Sequence, residues 1–217
     1  MKTTNKLLTL IIIFSSLFSL QSQNKFSKRK IENLKEEVSK LVEDDKKMTQ
    51  VMIDKVFSFG ELGFQEFETS KYLGKILEEN GFDVEYQISG IPTSWLATWS
   101  NGEGGPTIAL GSDFDGVPST SQYPGVAYEK PVVEGAPGHG EGHNIGLPIV
   151  ITSAIAIKKI MIENNINGKL VLWPGVAEEI LGAKAWYVRD GYFDNVDMCI
   201  FTHVSTNMST SWGRPSG

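Results

Sequence analysis

Three short apolar runs each lead into a side chain that can hold a metal or move a proton. Residues 107–111 run into Ser112-Asp113-Phe114-Asp115, residues 169–173 run on to Glu178-Glu179, and residues 198–201 end at Thr202-His203. Each run is too short for a helix and apolar enough to lie inside a sheet. Between the first two, the stretch from Asn144 carries Ile149, Ile151, Ala154, Ile155, Ile157 and Ile160. It is apolar on too many sides for a surface helix, which predicts a largely buried one, with Asn144 as its N-cap and Asn167-Gly168 beyond its end. A further helix is expected over residues 180–190. Strand, helix, strand, helix, strand is the pattern of an α/β fold. In open α/β sheets the chemistry sits beyond the carboxyl ends of the strands, so this pattern places Asp113, Asp115, Glu178, Glu179 and His203 on one rim.

A second feature points to the same rim. Gly138-His139-Gly140-Glu141-Gly142-His143-Asn144 holds two of the three histidines in the chain, with a carboxylate between them and glycines around them. Glycine lets backbone approach an ion closely, and imidazole with carboxylate is a ligand set for a first-row metal. Taken alone, a His-x-Glu-x-His spacing fits no helical metal motif and is equally a polar loop. Residues 119–137 lack periodicity and contain Pro124, Pro131 and Pro137, which predicts a long loop leading to this stretch.

The N-terminal part reads more simply. Ile31, Leu34, Val38 and Leu41 recur at helical spacing, and residues 26–59 are expected as one helix ending before Gly60 and Gly63. A second helix is expected over residues 66–80, with Phe67, Tyr72, Leu73, Ile76 and Leu77 inward, and strands over 83–89 and 94–99. The net charge of −6 argues against nucleic acid or an acidic membrane surface as partner. The single cysteine, Cys199, permits no intrachain disulfide and is expected as a packed thiol in the last strand. No phosphate-binding G-x-x-x-x-G-K-[ST] loop and no G-x-S-x-G elbow occurs.

At the extreme N-terminus, Lys2 and Lys6 precede an apolar run, residues 7–20, followed by Gln21-Ser22-Gln23. A basic end, a short apolar core and a small-residue exit describe a secretory signal peptide over residues 1–23. Residues 24–217 are then an exported chain, periplasmic or extracellular, with no membrane span after signal removal.

The motifs also have a familiar order. Glu61-Leu62-Gly63-Phe64-Gln65-Glu66, Asp113-Phe114-Asp115-Gly116-Val117-Pro118, Gly138 to Asn144, Val176-Ala177-Glu178-Glu179 and Thr202-His203 follow one another as in the dinuclear-metal amidohydrolases and metallopeptidases. This group includes aminoacylase-like and auxin-conjugate hydrolases, and the chain most resembles the branch of aminobenzoyl-glutamate utilization protein B. The resemblance implies a zinc-peptidase-like, three-layer α/β catalytic domain with a mixed sheet. It also implies an enzyme that hydrolyses the amide of an N-acyl or aminobenzoyl amino acid, or a similar small conjugate.

Matched position by position, the resemblance places Glu141, His143, Glu179 and His203 as metal ligands, Glu178 as general base and Asp115 as an acid supporting a ligand or the base. Two divalent ions, zinc or manganese, are implied. His139 has no ligand place. The auxin-conjugate branch has cysteine where this chain has Glu141, and a carboxylate there makes manganese as credible as zinc. The resemblance further implies a dimerisation (lid) domain and a C-terminal half that return another ligand histidine, so the chain is expected to be the N-terminal half of such an enzyme and weak by itself. Homodimerisation is expected only for a full-length form. Two other readings stay open: an inactive remnant that keeps a metal-binding module, and a metallo-exopeptidase acting on dipeptides.

Overall fold

The computed structural model describes residues 26–211. The predicted signal peptide lies outside them. The chain divides into two compact units, residues 1–36 and 37–217. Of the first, the described residues are 26–36, which hold the start of helix α1 (Lys28–Asp44), none of them buried.

The second unit is built on a five-stranded mixed sheet. In chain order it holds α2 (Lys46–Phe59), α3 (Phe67–Glu79), β1 (Asp83–Tyr86), β2 (Trp95–Asn101), β3 (Thr107–Asp113), α4 (His143–Glu163), β4 (Gly168–Gly175), α5 (Lys184–Arg189) and β5 (Met198–Thr202). The strand order is β1-β2-β4-β3-β5. β1 and β2 pair antiparallel, as do β2 and β4, whereas β3 is parallel to both β4 and β5. This is the α/β mixed sheet that the strand pattern and the resemblance predict.

Burial along the strands explains why the apolar runs read as they do. In β4 every residue but Lys169 is buried, and β3 is buried from Ala109 to Asp113, so helices cover both faces at the centre of the sheet. Trp95, Ala97, Ala109, Leu147, Ile151 and Leu172 are fully enclosed there. Helix α4 has the length and apolarity of a membrane span, yet half of its most apolar window is buried in this core. Thr152 ties it to α2 through a 2.7 Å hydroxyl pair with Thr49. Gly146 lets α4 lie against β3, because a Cβ there would stand 1.8 Å from Ser112 Oγ. Trimming the core should show its tightness: Ile151→Val is expected to lower the unfolding free energy by about 1 kcal/mol in urea titration.

Five expectations need correction. Residues 26–59 form two helices, not one, because Asp45 leaves the helical region at φ −91°, ψ 7°. Asp44 and Asp45 also place two negative charges at the C-terminal end of α1, where the helix dipole disfavours them. Phe67 is 55% exposed rather than inward, since α3 begins at that residue. The first turn of α3 is capped from a distance by Glu61, whose carboxylate accepts the amides of Glu68 and Thr69, both at 2.9 Å. Asn144 is not the N-cap of α4; Gly142 is, in a left-handed conformation, and Asn144 is buried inside the first turn. Cys199 is exposed, as are all five residues of β5, which among the described residues is the edge strand beside β3. The 180–190 region is also shorter in regular structure than expected, being a 3-10 turn (Glu178–Ile180) followed by the brief α5.

Candidate metal centre

The three parallel strands deliver their carboxyl ends to one place. Asp113 is the last residue of β3, Glu178 and Glu179 follow β4, His203 follows β5, and His143 opens α4. The loops beneath are strapped together: the Gly116 amide donates to Glu61 O at 2.7 Å, and Val117 and Gly138 exchange amide bonds of 2.8 and 3.1 Å. Segments distant in sequence thus form one irregular ladder, with Leu62 bridged to Gly116 and Val117 to Gly138.

Two groups of ligand-type side chains gather above this ladder, the ligand atoms of each within 4.8 Å of one another. One comprises Asp113, His143, Glu178 and His203; the other comprises Glu141, His143 and Glu179. His143 belongs to both. All four residues predicted as ligands are therefore brought together. The structure adds Asp113, and it places Glu178, predicted as the base, among potential ligands as well. Asp115 stands behind the groups. Its Oδ1 lies 3.2 Å from His143 Nδ1, and its Oδ2 accepts the Glu179 amide at 3.1 Å.

The two imidazoles carry the strongest chemical constraint. His143 Nδ1 lies 3.1 Å from the Asp115 carbonyl oxygen, and His203 Nδ1 lies 2.7 Å from the Val204 carbonyl oxygen. A carbonyl oxygen only accepts, so both Nδ1 atoms must be the protonated ones. The two Nε2 atoms then face each other at 3.0 Å with their lone pairs. Such a pair repels unless a proton or a cation lies between them. Two nitrogens on one tetrahedral zinc ion stand roughly 3.3 Å apart, close to this separation.

The carboxylates fit a cation as well. Glu179 Oε1 is buried with no hydrogen-bond partner. Asp113 Oδ1 lies 2.8 Å from Lys184 Nζ, an ion pair not aligned as a hydrogen bond, and Asp113 Oδ2 has no partner. Gly175 makes room for this pair, since a Cβ there would meet Asp113 Oδ1 at 1.8 Å. Burial raises the Asp113 carboxyl above its ordinary range, with Lys184 opposing. Burial and the neighbouring charge of Glu141 raise Glu179. Burial alone would lower His143, but the hydrogen bond it donates to Asp115 and the charges of Asp113 and Asp115 outweigh it and raise the ring. A crowd of partly buried acids around two facing imidazoles is what a divalent cation would relieve.

His139 is elsewhere. It is buried, its Nε2 donates to Val56 O at the end of α2 at 3.1 Å, and it joins neither group. Burial pushes its pKa down from 6.5 to about 4. The unfolded chain takes up this proton near pH 6.5, while the folded chain does so only near 4. Stability is therefore complete above pH 6.5 and falls as pH drops toward 4, by at most about 3 kcal/mol from this residue. Urea titrations at pH 4.5 and 7.5 should show His139→Leu losing less stability on acidification than wild type.

Asp113 was legible as part of an Asp-x-Asp at a strand end, and strand alternation puts such acids on one face. Lys184 gave no signal, because its partner lies 71 positions earlier in the chain.

No family profile matches the chain. It is 32% identical over 162 residues to a component of the p-aminobenzoyl-glutamate hydrolase of Escherichia coli, covering 75% of this chain and 33% of that protein. Over this stretch the chain is a homologue of amidohydrolases. Its fold matches a putative aminohydrolase from methicillin-resistant Staphylococcus aureus, with a TM-score of 0.66 at 22% identity over 78% of this chain and 42% of that one. It also matches the Bacillus subtilis YxeP protein, a dinuclear metal-binding peptidase of the M20 family, with a TM-score of 0.59 at 23% identity over 73% and 43%. The chain spans about a third of the length of the first curated relatives it matches.

Proposed function

We propose that this chain carries the metal centre of an amidohydrolase that cleaves the amide of an N-acyl or aminobenzoyl amino acid, or a similar small conjugate. The observation that carries this reading is the pair of Nε2 atoms facing at 3.0 Å, both Nδ1 protons being committed to oxygen acceptors. The relative of Escherichia coli named above, part of an aminobenzoyl-glutamate hydrolase, supports the substrate class.

His143, His203, Asp113, Glu141 and Glu179 would hold two divalent ions, and bound ions supply an acidified water and a polarised carbonyl oxygen. The donor set is rich in carboxylates, which suits manganese as well as zinc. Asp115 fixes the tautomer and orientation of His143 from behind. Glu178 accepts the proton of the attacking water and returns it to the leaving nitrogen. Adjacent acids can divide these roles because the turn at Ala177 sends one into each group.

The test is a panel of N-acyl amino acids, aminobenzoyl-glutamate and dipeptides, assayed with manganese or zinc. Turnover of the amides above the dipeptides supports the reading, and preference for dipeptides replaces it with an exopeptidase. We also propose export. N-terminal sequencing of protein recovered outside the cytoplasm should begin near residue 24, and an intact Met1 there would contradict it.

A further inference from the structure

Glu66 is a fully buried carboxylate outside both groups of ligand-type side chains. It stands immediately before α3, 111 positions from the residue it holds. Its Oε1 accepts the Ala177 amide at 2.9 Å, and its Oε2 accepts the Thr93 hydroxyl at 2.8 Å. Ala177 sits at φ 53°, ψ 43°, a left-handed conformation that a residue with a Cβ adopts only under restraint. Two further residues of this loop, Leu181 and Ala183, also have positive φ. The Ala177 carbonyl is held too, accepting the Gly182 amide at 2.8 Å. Gly63 packs against it, where a Cβ would come within 3.0 Å of the Ala177 Cα and Cβ.

The consequence reaches the acids that follow. Glu178 enters the group with Asp113 and His203, while Glu179 enters the group with Glu141. Which way each points depends on the turn at Ala177. We propose that Glu66 is a positioning residue for this acid pair, gripping the Ala177 amide so that the strained turn directs Glu178 and Glu179 into separate groups. Its effect on ion binding rests on the proposed function; its effect on the backbone does not.

The test compares four variants of the full chain with wild type. Glu66→Ala orphans the buried Ala177 amide. Glu66→Gln keeps an oxygen acceptor in place. Thr93→Val removes the other partner of Glu66 and spares Ala177. Leu73→Ala, in the core on α3, controls for general destabilisation. Residue-resolved hydrogen exchange is read first. In Glu66→Ala the amides of Ala177 and residues 179–182 should exchange about tenfold faster or more, relative to the α3 amides, while Glu66→Gln and Thr93→Val stay within about twofold of wild type. Should Glu66→Ala not fold, Glu66→Met against Glu66→Gln carries the same comparison at similar volume. Exchange in the loop that is unchanged, or that rises no more than in Leu73→Ala, overturns the role of Glu66.

Titration with zinc alone is read second. Affinity should fall about tenfold in Glu66→Ala, in line with loss of an outer support, and stay unchanged in Leu73→Ala and Glu66→Gln. A wild-type chain that binds zinc no more tightly than Glu66→Ala also overturns the role. A wild-type chain that binds no zinc overturns the proposed function instead, and the exchange result still decides for Glu66.

Discussion

Replacing His143 by alanine is expected to remove divalent-metal binding from both groups at once. The ring is common to the two, is buried, and is held by Asp115 so that Nε2 faces His203. No other side chain near it can take its place: His203 is the other imidazole present, and His139 is turned toward α2. A tight four-ligand zinc site is worth about 10–16 kcal/mol, so losing one ligand costs roughly 3–4 kcal/mol, or two to three orders of magnitude in affinity. Calorimetric titration with zinc or manganese at neutral pH checks this. His139→Leu, tested beside it, should bind as wild type does. The same titration at pH 5 should be weaker, because His143, Glu179 and Asp113 all have raised pKa values and protons compete for them.

Changing Glu178 to glutamine is expected to separate binding from turnover. If Glu178 is the proton carrier, the amide analogue keeps its shape and cannot accept the proton. Hydrolysis of the best N-acyl substrate should then fall by about 10²–10⁴, the usual contribution of general acid–base catalysis, with KM little changed. Metal content should stay near that of wild type, because Asp113, His143 and His203 remain in the group. A loss of metal that parallels the loss of rate would instead make Glu178 a ligand. Glu179→Gln is the natural counterpart. Its carboxylate has a buried oxygen with no hydrogen-bond partner, so metal content should fall first.

The sheet was legible because its central strands are buried on both faces and therefore read as short, nearly continuous apolar runs. The end of each run marked the rim, and so Asp113, Asp115, the two glutamates and His203 could be placed together without coordinates. What the sequence hid was mostly non-local. Cys199 lies in an apolar run like the others, but exposure in β5 depends on what lies beside and over it, which a strand pattern does not encode. The break at Asp45 keeps the helical hydrophobic period on both sides, so periodicity passes through it. The grip of Glu66 on Ala177 and the pairing of Lys184 with Asp113 join residues far apart in the chain. The tautomers of His143 and His203 follow only from which oxygens their Nδ1 atoms meet.

The proposed closure of His143 and His203 on a cation can be read from the protein's metal content. Metal analysis of the purified protein after zinc loading and desalting, alongside His143→Ala, tests it most directly. At least one divalent ion should be retained per wild-type chain, stripped by chelator and absent from the variant. Wild-type protein that retains none, or a variant that retains as much, would contradict it.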